Sequence, residues 1–382
     1  MKKINPALFL LCFFCVLGCV EPDKYILSDP SILLPDAIVS QQTETALLNS
    51  AEALLDQPPV RITDKSAHVA GSGHRNYTSL ATYWWPDPDS EDGLPYIRKD
   101  GKVNPETYSE KSDLPKLIEM AQRVDKLTKA YRLTGDEMFS EKALEQLLTW
   151  FVDDNTAMYP HLEHAQMVKG RNSGRSYGVI DTWWLVRVIE SIPELKKSDY
   201  WSDEIELGLR AWFTHYLNWL RNCDFGQTEM QSKNNHGTWY DLQVVTFARF
   251  VGQYDFAREY LMNVTRGRIS KQISITGRQK NETGRPRPLH YSIYNLSGLI
   301  KLALHGKELG VDLKNNNRWF SGSLEDALVY LINRMDGIDP ASLIDEYDQT
   351  ETDLLYLNLL LDGRELFQHT KINTEISRLM TL

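Results

Sequence analysis

The chain has 382 residues, 42% of them hydrophobic, with 10 Trp and 18 Tyr, which is ample material for a large core. Its formal net charge of -10 argues against a nucleic-acid partner held by bulk attraction. An anionic ligand of any kind would need a locally basic cleft.

In chain order, the first feature is a leader. Lys2 and Lys3 precede an apolar run at residues 7–17 that is too short to remain as a membrane span. The run ends in Val16-Leu17-Gly18-Cys19, which resembles a bacterial lipobox, in which the signal is cut before a Cys that is then acylated. The expected organisation is a signal peptide at 1–18, a linker at 19–40 and a single α-helical domain at 41–382. The expected location is that of an exported lipoprotein, anchored to the outer membrane through Cys19 and facing the periplasm or the cell surface. Cys12 and Cys15 leave with the signal, so Cys223 remains alone, and neither an intramolecular disulfide nor a Cys-based metal site is available. No later segment is apolar enough to span a bilayer.

Residues 65–112 read as a long irregular segment punctuated by Pro86, Pro88, Gly93, Pro95 and Asn104-Pro105. Tyr77, Tyr83, Trp84, Trp85 and Tyr96 argue against a disordered linker, and a long loop inside a domain is usually functional. Helical spacing follows. Leu114, Leu117, Ile118, Ala121, Val124, Leu127 and Tyr131 share one face, and Gly135 stops the pattern. Ala143, Leu144, Leu147, Leu148 and Phe151 mark the next helix. Further helices are expected at about 179–193, 203–222, 238–251, 254–265, 294–309, 323–335 and 351–362. Short links between them predict stacked antiparallel hairpins. No fixed repeat period is present.

Three clusters offer chemistry. Asn234-Asn235-His236 sets two carboxamides and an imidazole at a helix start; the same residues would also serve as an N-cap beside a buried histidine. Arg285-Pro286-Arg287-Pro288-Leu289-His290-Tyr291-Ser292-Ile293-Tyr294 projects arginines and tyrosines from a backbone that the prolines hold extended. Tyr83-Trp84-Trp85 could stack on sugar rings or serve as core. Seven basic residues between Arg266 and Arg287, against the one acid Glu282, are the candidate basic cleft.

Asn-Asn-His followed by an arginine and Tyr-Ser-x-Tyr resembles the alginate lyase superfamily, with polysaccharide lyase families five and thirty-eight the nearest named relatives. Ser79-Leu80-Ala81-Thr82-Tyr83-Trp84-Trp85-Pro86-Asp87-Pro88, Asp92-Gly93-Leu94-Pro95-Tyr96-Ile97-Arg98 and Asn104-Pro105-Glu106 resemble its amino-terminal signature. The resemblance implies an all-α fold, an (α/α) toroid or incomplete barrel of antiparallel helix hairpins. It implies cleavage of a 4-linked polyuronate, most simply mannuronate-rich alginate, by β-elimination without metal or cofactor. Asn235 and His236 match the pair that faces the substrate carboxylate, and Tyr291 matches the catalytic tyrosine. The family-five arginine lies seven residues before that tyrosine, where this chain has Gly284; Arg285 and Arg287 are the candidates, and Arg285 is favoured for catalysis.

The chemistry explains those residue types. Elimination removes H5 beside an anionic C6 carboxylate, so that carboxylate must first be neutralised; one positioned donor contributes about 3 kcal/mol to such a transition state. In mannuronate and glucuronate H5 and O4 share a ring face, and one tyrosine, its pKa lowered from about 10 by cations, can move the proton between them. Arg285, Arg287 and His290 are the cations nearest Tyr291 in sequence. In guluronate C5 is inverted, and His236 would act as base with Tyr291 as acid. Asn234, Tyr83, Trp84, Trp85, Gln166, Arg175, Arg287, His290 and Tyr294 are expected to contact substrate. His161-x-x-His164 lacks a zinc-enzyme pattern. Three alternatives remain open at this point. They are a glucuronan lyase of the same mechanism, a glycoside hydrolase using Asp181 and Asp241, and a non-catalytic glycan-binding lipoprotein.

Overall fold

Residues 41–65, 73–314, 321–335 and 349–380 are described by a computed structural model. The signal segment 1–18, Cys19 and the linker 19–40 lie outside the described residues. Thirteen helices are present among them: α1 (Gln41–Leu55), α2 (Leu114–Thr134), α3 (Glu137–Leu147), α4 (Trp184–Leu195), α5 (Asp203–Asn222), α6 (Asp224–Met230), α7 (Asn235–Phe250), α8 (Tyr254–Tyr260), α9 (Arg266–Gln272), α10 (Pro288–Leu309), α11 (Leu324–Met335), α12 (Gln349–Leu366) and α13 (Thr370–Met380).

Local chemistry sets several of their ends. Gly135 and Gly310 close α2 and α10 in the left-handed conformation, at φ +69° and +71°. Asp136 accepts the Met138 N–H to open α3, and Ser202 accepts the Ile205 N–H to open α5. Both α3 and α8 run on into π-helical turns, Leu148–Val152 and Leu261–Thr265. The four helices that periodicity leaves out are α1, α6, α9 and α13. Two of them are short, and α6 is largely polar, with Cys223 Sγ taking the Gly226 N–H at its start.

Helices α2, α4, α7, α10 and α12 form a curved inner row, each packed on the next. Helices α3, α5, α8, α11 and α13 return outside it. The result is the (α/α) toroid. Its core joins residues from α1 to α13, with Trp150, Tyr216, Tyr240, Phe213, Phe247 and Tyr356 among the largest fully buried side chains. A layer of three aromatic rings crosses the interior. Trp239 stacks on Tyr294 at 4.6 Å, and Trp183 lies 5.0 Å from Trp239. That layer also lines a cavity of about 400 Å³ between α2, α4, α10 and α12.

Residues 73–112, ahead of α2, are held by two small sheets. Strand β1 (Thr78–Leu80) pairs in parallel with β4 (His164–Met167), and β2 (Trp84–Trp85) pairs antiparallel with β3 (Ile97–Arg98). Ala81, Tyr96 and Val168 form a second small core, against which Trp84 packs. The segment is therefore a built wall of the domain, not a free loop.

Candidate active site

The first turns of α7 and α10 and the turn leading into α4 converge at one end of the toroid. The aligned dipoles of these helices favour negative charge there. Asn234 caps α7, its Oδ1 accepting the His236 N–H at 3.3 Å. Asn235 is buried and donates its main-chain N–H (2.7 Å) and its Nδ2 (2.8 Å) to the two carboxylate oxygens of Glu282. His236 directs Nδ1 at Glu229 Oε1, 2.5 Å away. An acceptor-only carboxylate requires a proton on Nδ1, so in the neutral tautomer the lone pair is on Nε2. The Tyr177 ring meets the imidazole edge-on at 4.9 Å.

The backbone ahead of this motif is held from behind. Arg268 forms a two-pronged pair with Asp241 (2.7 and 2.9 Å) and donates to the carbonyls of Ser232 (2.6 Å) and Met230 (2.7 Å). Gln272 Nε2 donates to the Asn234 carbonyl at 3.1 Å, and Asn281 Nδ2 to that of Lys233 at 2.5 Å. Gly237 is required by the same packing: a Cβ there would lie 2.0 Å from Arg268 Nη1.

Tyr291 stands in the first turn of α10, because Pro288 opens that helix. Residues 281–287 are turns and bends rather than extended chain, and the two tyrosines project from helix, which corrects the expectation of an extended run. The Arg285 guanidinium lies over the Tyr291 ring, 4.1 Å from its centre. The Tyr83 and Tyr291 hydroxyls are hydrogen-bonded at 2.8 Å, so the amino-terminal wall reaches the α10 motif directly. His290 meets the Tyr291 ring edge-on at 5.4 Å and lies parallel to Tyr294 at 6.2 Å. Burial first, and the nearby Arg287 second, push its pKa down to about 3. His290 is therefore neutral near pH 7 and drops out of the expected set of cations around Tyr291.

The remaining expected contacts divide. Trp84 carries the Arg171 guanidinium over its ring at 5.2 Å, and Trp85 carries Lys99 at 5.3 Å. Arg175 sits over Tyr177 at 4.9 Å, and that ring in turn meets His236. Gln166 does not. It is 8% exposed, with Nε2 on Asp181 and Oε1 accepting from Arg175, both at 2.8 Å. It props Arg175 from behind instead of facing a ligand. Tyr294 belongs to the aromatic layer that lines the cavity between α2, α4, α10 and α12. The stretch from Arg266 to Arg287 is not one basic cleft either. Arg268 is buried on Asp241, Arg266 turns to the Asp312 carbonyl and Arg278 to Thr283 Oγ1, whereas Arg285 lies over Tyr291 and Arg287 beside His290.

Two acids complete the cluster that sequence reading did not assign. Glu229 and Glu282 are each 1% exposed, and one bonds His236 while the other bonds Asn235. The available signals were an acid seven residues ahead of His236 and a single acid within a basic run. By contrast, Asp181 and Asp241 are sealed in. Asp181 accepts from Tyr77, Ser79 and Gln166. Asp241 accepts from Arg268, Tyr260 and Thr265. Neither offers an oxygen to a water or a glycosidic bond, so a hydrolase built on this pair has no support. Among the described residues, no group of three or more His, Cys, Asp or Glu is arranged to hold a metal ion.

Comparison with known proteins agrees with this geometry. No curated protein sequence matches the chain. The family model described as alginate lyase matches residues 61–342. The crystal structure of an alginate lyase from Bacteroides ovatus superposes with a TM-score of 0.82 at 31% identity, covering 88% of this chain and 89% of that one. A histidine-to-alanine variant of alginate lyase A1-III, complexed with tetrasaccharide, matches with a TM-score of 0.52 at 12% identity over 93% of each chain, a likeness of fold. Family model, close structural relative and fold all point the same way: the chain belongs to the alginate lyase family.

Proposed function

We propose that this protein is a polysaccharide lyase that cleaves 4-linked polyuronate, mannuronate-rich alginate above all, by β-elimination. The observation that carries the reading is the meeting of Tyr83, Tyr291 and Arg285 with the Asn235–His236 helix start: two hydroxyls 2.8 Å apart, with a guanidinium 4.1 Å from one ring. Glu282 ties the two halves, since its carboxylate bonds Asn235 and its carbonyl accepts the Arg285 N–H.

The chemistry then follows from these groups. Donors from Asn235, with His236 or Arg285, neutralise the C6 carboxylate and strengthen as enolate charge develops. Tyr291, ionised, removes H5; the C4–O4 bond breaks as C4=C5 forms, and the tyrosine returns the proton to O4. Arg285 keeps a fixed positive charge beside the phenol while it carries negative charge. Tyr83 holds the Tyr291 hydroxyl in place and offers a path for its proton. On guluronate, where C5 is inverted, His236 Nε2 would act as the base and Tyr291 as the acid, the His236 Nδ1 proton being held by Glu229. Trp84, Trp85, Arg171, Arg175 and Arg287 supply stacking faces and cations for neighbouring sugar units. A glucuronan substrate fits the same groups, because glucuronate differs from mannuronate only at C2. The lipobox-like Val16-Leu17-Gly18-Cys19 supports an exported lipoprotein that meets its polymer outside the cytoplasm.

The test is to incubate the purified protein with polymannuronate, polyguluronate, glucuronan and a neutral glucan, and to follow the ultraviolet absorbance of the C4=C5 bond. The expected result is a rise on polymannuronate and none on the glucan. No rise on any uronan would sink the lyase reading.

A further inference from the structure

Asn235 works only if its amide faces the right way. The nitrogen end donates and the oxygen end accepts, so an anionic carboxylate is met only by nitrogen. Nothing in the covalent structure of a helix start chooses between the two ends. Glu282 does choose. Its Oε1 accepts the Asn235 main-chain N–H and its Oε2 accepts Nδ2, at 2.7 and 2.8 Å. A carboxylate has no proton to give, so turning the amide over would press Oδ1 against Oε2 in a site that is 1% exposed.

Glu282 is itself well placed to hold. Its N–H bonds the Gln279 carbonyl, and its own carbonyl takes the Arg285 N–H, both at 3.0 Å. Gln279 Nε2 in turn bonds the Ser292 carbonyl in α10 at 2.8 Å. One short turn therefore carries the guanidinium over Tyr291 and the carboxylate on Asn235.

We propose that Glu282 is a positioning residue: its carboxylate fixes the Asn235 amide with one Nδ2 hydrogen held and the other presented to the substrate carboxylate, and it sets the Asn235–His236 helix start in register with Arg285 and Tyr291. This rests on the lyase reading above. Glutamine at 282 can still accept the main-chain N–H, but its own NH₂ then opposes Nδ2 and obliges Asn235 to turn.

The experiment is a double-mutant cycle with Glu282→Gln and Asn235→Ala on polymannuronate oligomers, with thermal melts to show that each variant folds. It is paired with nuclear magnetic resonance of the Asn235 side-chain amide. The expected result is a loss in kcat/KM of about tenfold or more for Glu282→Gln in the parent. In the Asn235→Ala background the same change should cost less than about twofold. One Asn235 Nδ2 proton should be protected from exchange in the parent and unprotected in Glu282→Gln. Equal losses in both backgrounds would overturn the proposal, because Glu282 would then act on the fold and not through Asn235. Two unprotected amide protons in the parent would overturn it as well. A protected proton in a protein that yields no unsaturated product would sink the lyase reading alone and leave the orienting contact standing.

Discussion

Arg268→Met is the sharpest probe of how the scaffold holds the site. The side chain is 8% exposed, and Asp241 beside it is fully buried. The substitution keeps length and apolar contact but removes both prongs on Asp241, leaving that carboxylate with only Tyr260 at 2.9 Å and Thr265 at 3.2 Å. It also strips donors from the carbonyls of Met230 and Ser232. Breaking one side of a buried pair costs about 3–5 kcal/mol, because the partner charge stays buried without compensation. At about 0.7 kcal/mol/K of unfolding entropy for a chain of this length, that lowers Tm by roughly 4–7 °C. The two carbonyls lie two and four residues before Asn234, so turnover on polymannuronate should fall even well below the melting transition. Calorimetry with a parallel ultraviolet assay measures both. A loss under about 1 kcal/mol with full activity would refute the idea that this pair holds the motif.

Other outcomes follow from single contacts. Tyr291→Phe should abolish turnover yet keep oligouronate binding, read by calorimetric titration; Tyr83→Phe should keep part of the rate, because it removes a partner of the catalytic hydroxyl and not the hydroxyl itself. Glu229→Gln frees the His236 tautomer and should slow polyguluronate more than polymannuronate, and an equal effect on both would remove His236 from the base role. Gly237→Ala should yield a destabilised protein, since its Cβ would fall 2.0 Å from Arg268 Nη1 and 2.3 Å from the Ser232 carbonyl. For acid stability, burial raises the Glu106 pKa, but bonds from Lys111, Tyr96 and Lys169 outweigh it and bring the value from 4.5 to about 2. A depressed carboxylate contributes stability above its unfolded pKa and loses it as pH falls towards the folded one. Melts between pH 4.5 and pH 2 should thus decline less steeply in Glu106→Gln than in the parent.

Apolar spacing alone determined the helical class and most helix positions. The run from Leu114 to Tyr131 and the stop at Gly135 are local facts, because burial of one face repeats every three to four residues and a left-handed residue ends the ladder. The motifs around Asn235, His236, Arg285 and Tyr291 were equally legible, since their chemistry is written in residue type and spacing. Helices α1 and α13 were not, because their amphipathic patterns are short and they take their place only by packing on α2, α11 and α12. The partners of the motifs were not legible either. That Tyr83 would touch Tyr291 across 208 positions, that Glu229 would hold His236, and that Arg268 would be buried while Arg285 stays beside the cleft all depend on long-range closure of the toroid. His290 makes the same point. Its sequence neighbours suggested a cation, but a charge buried without a partner costs more than losing the proton, and only the folded surroundings could decide that.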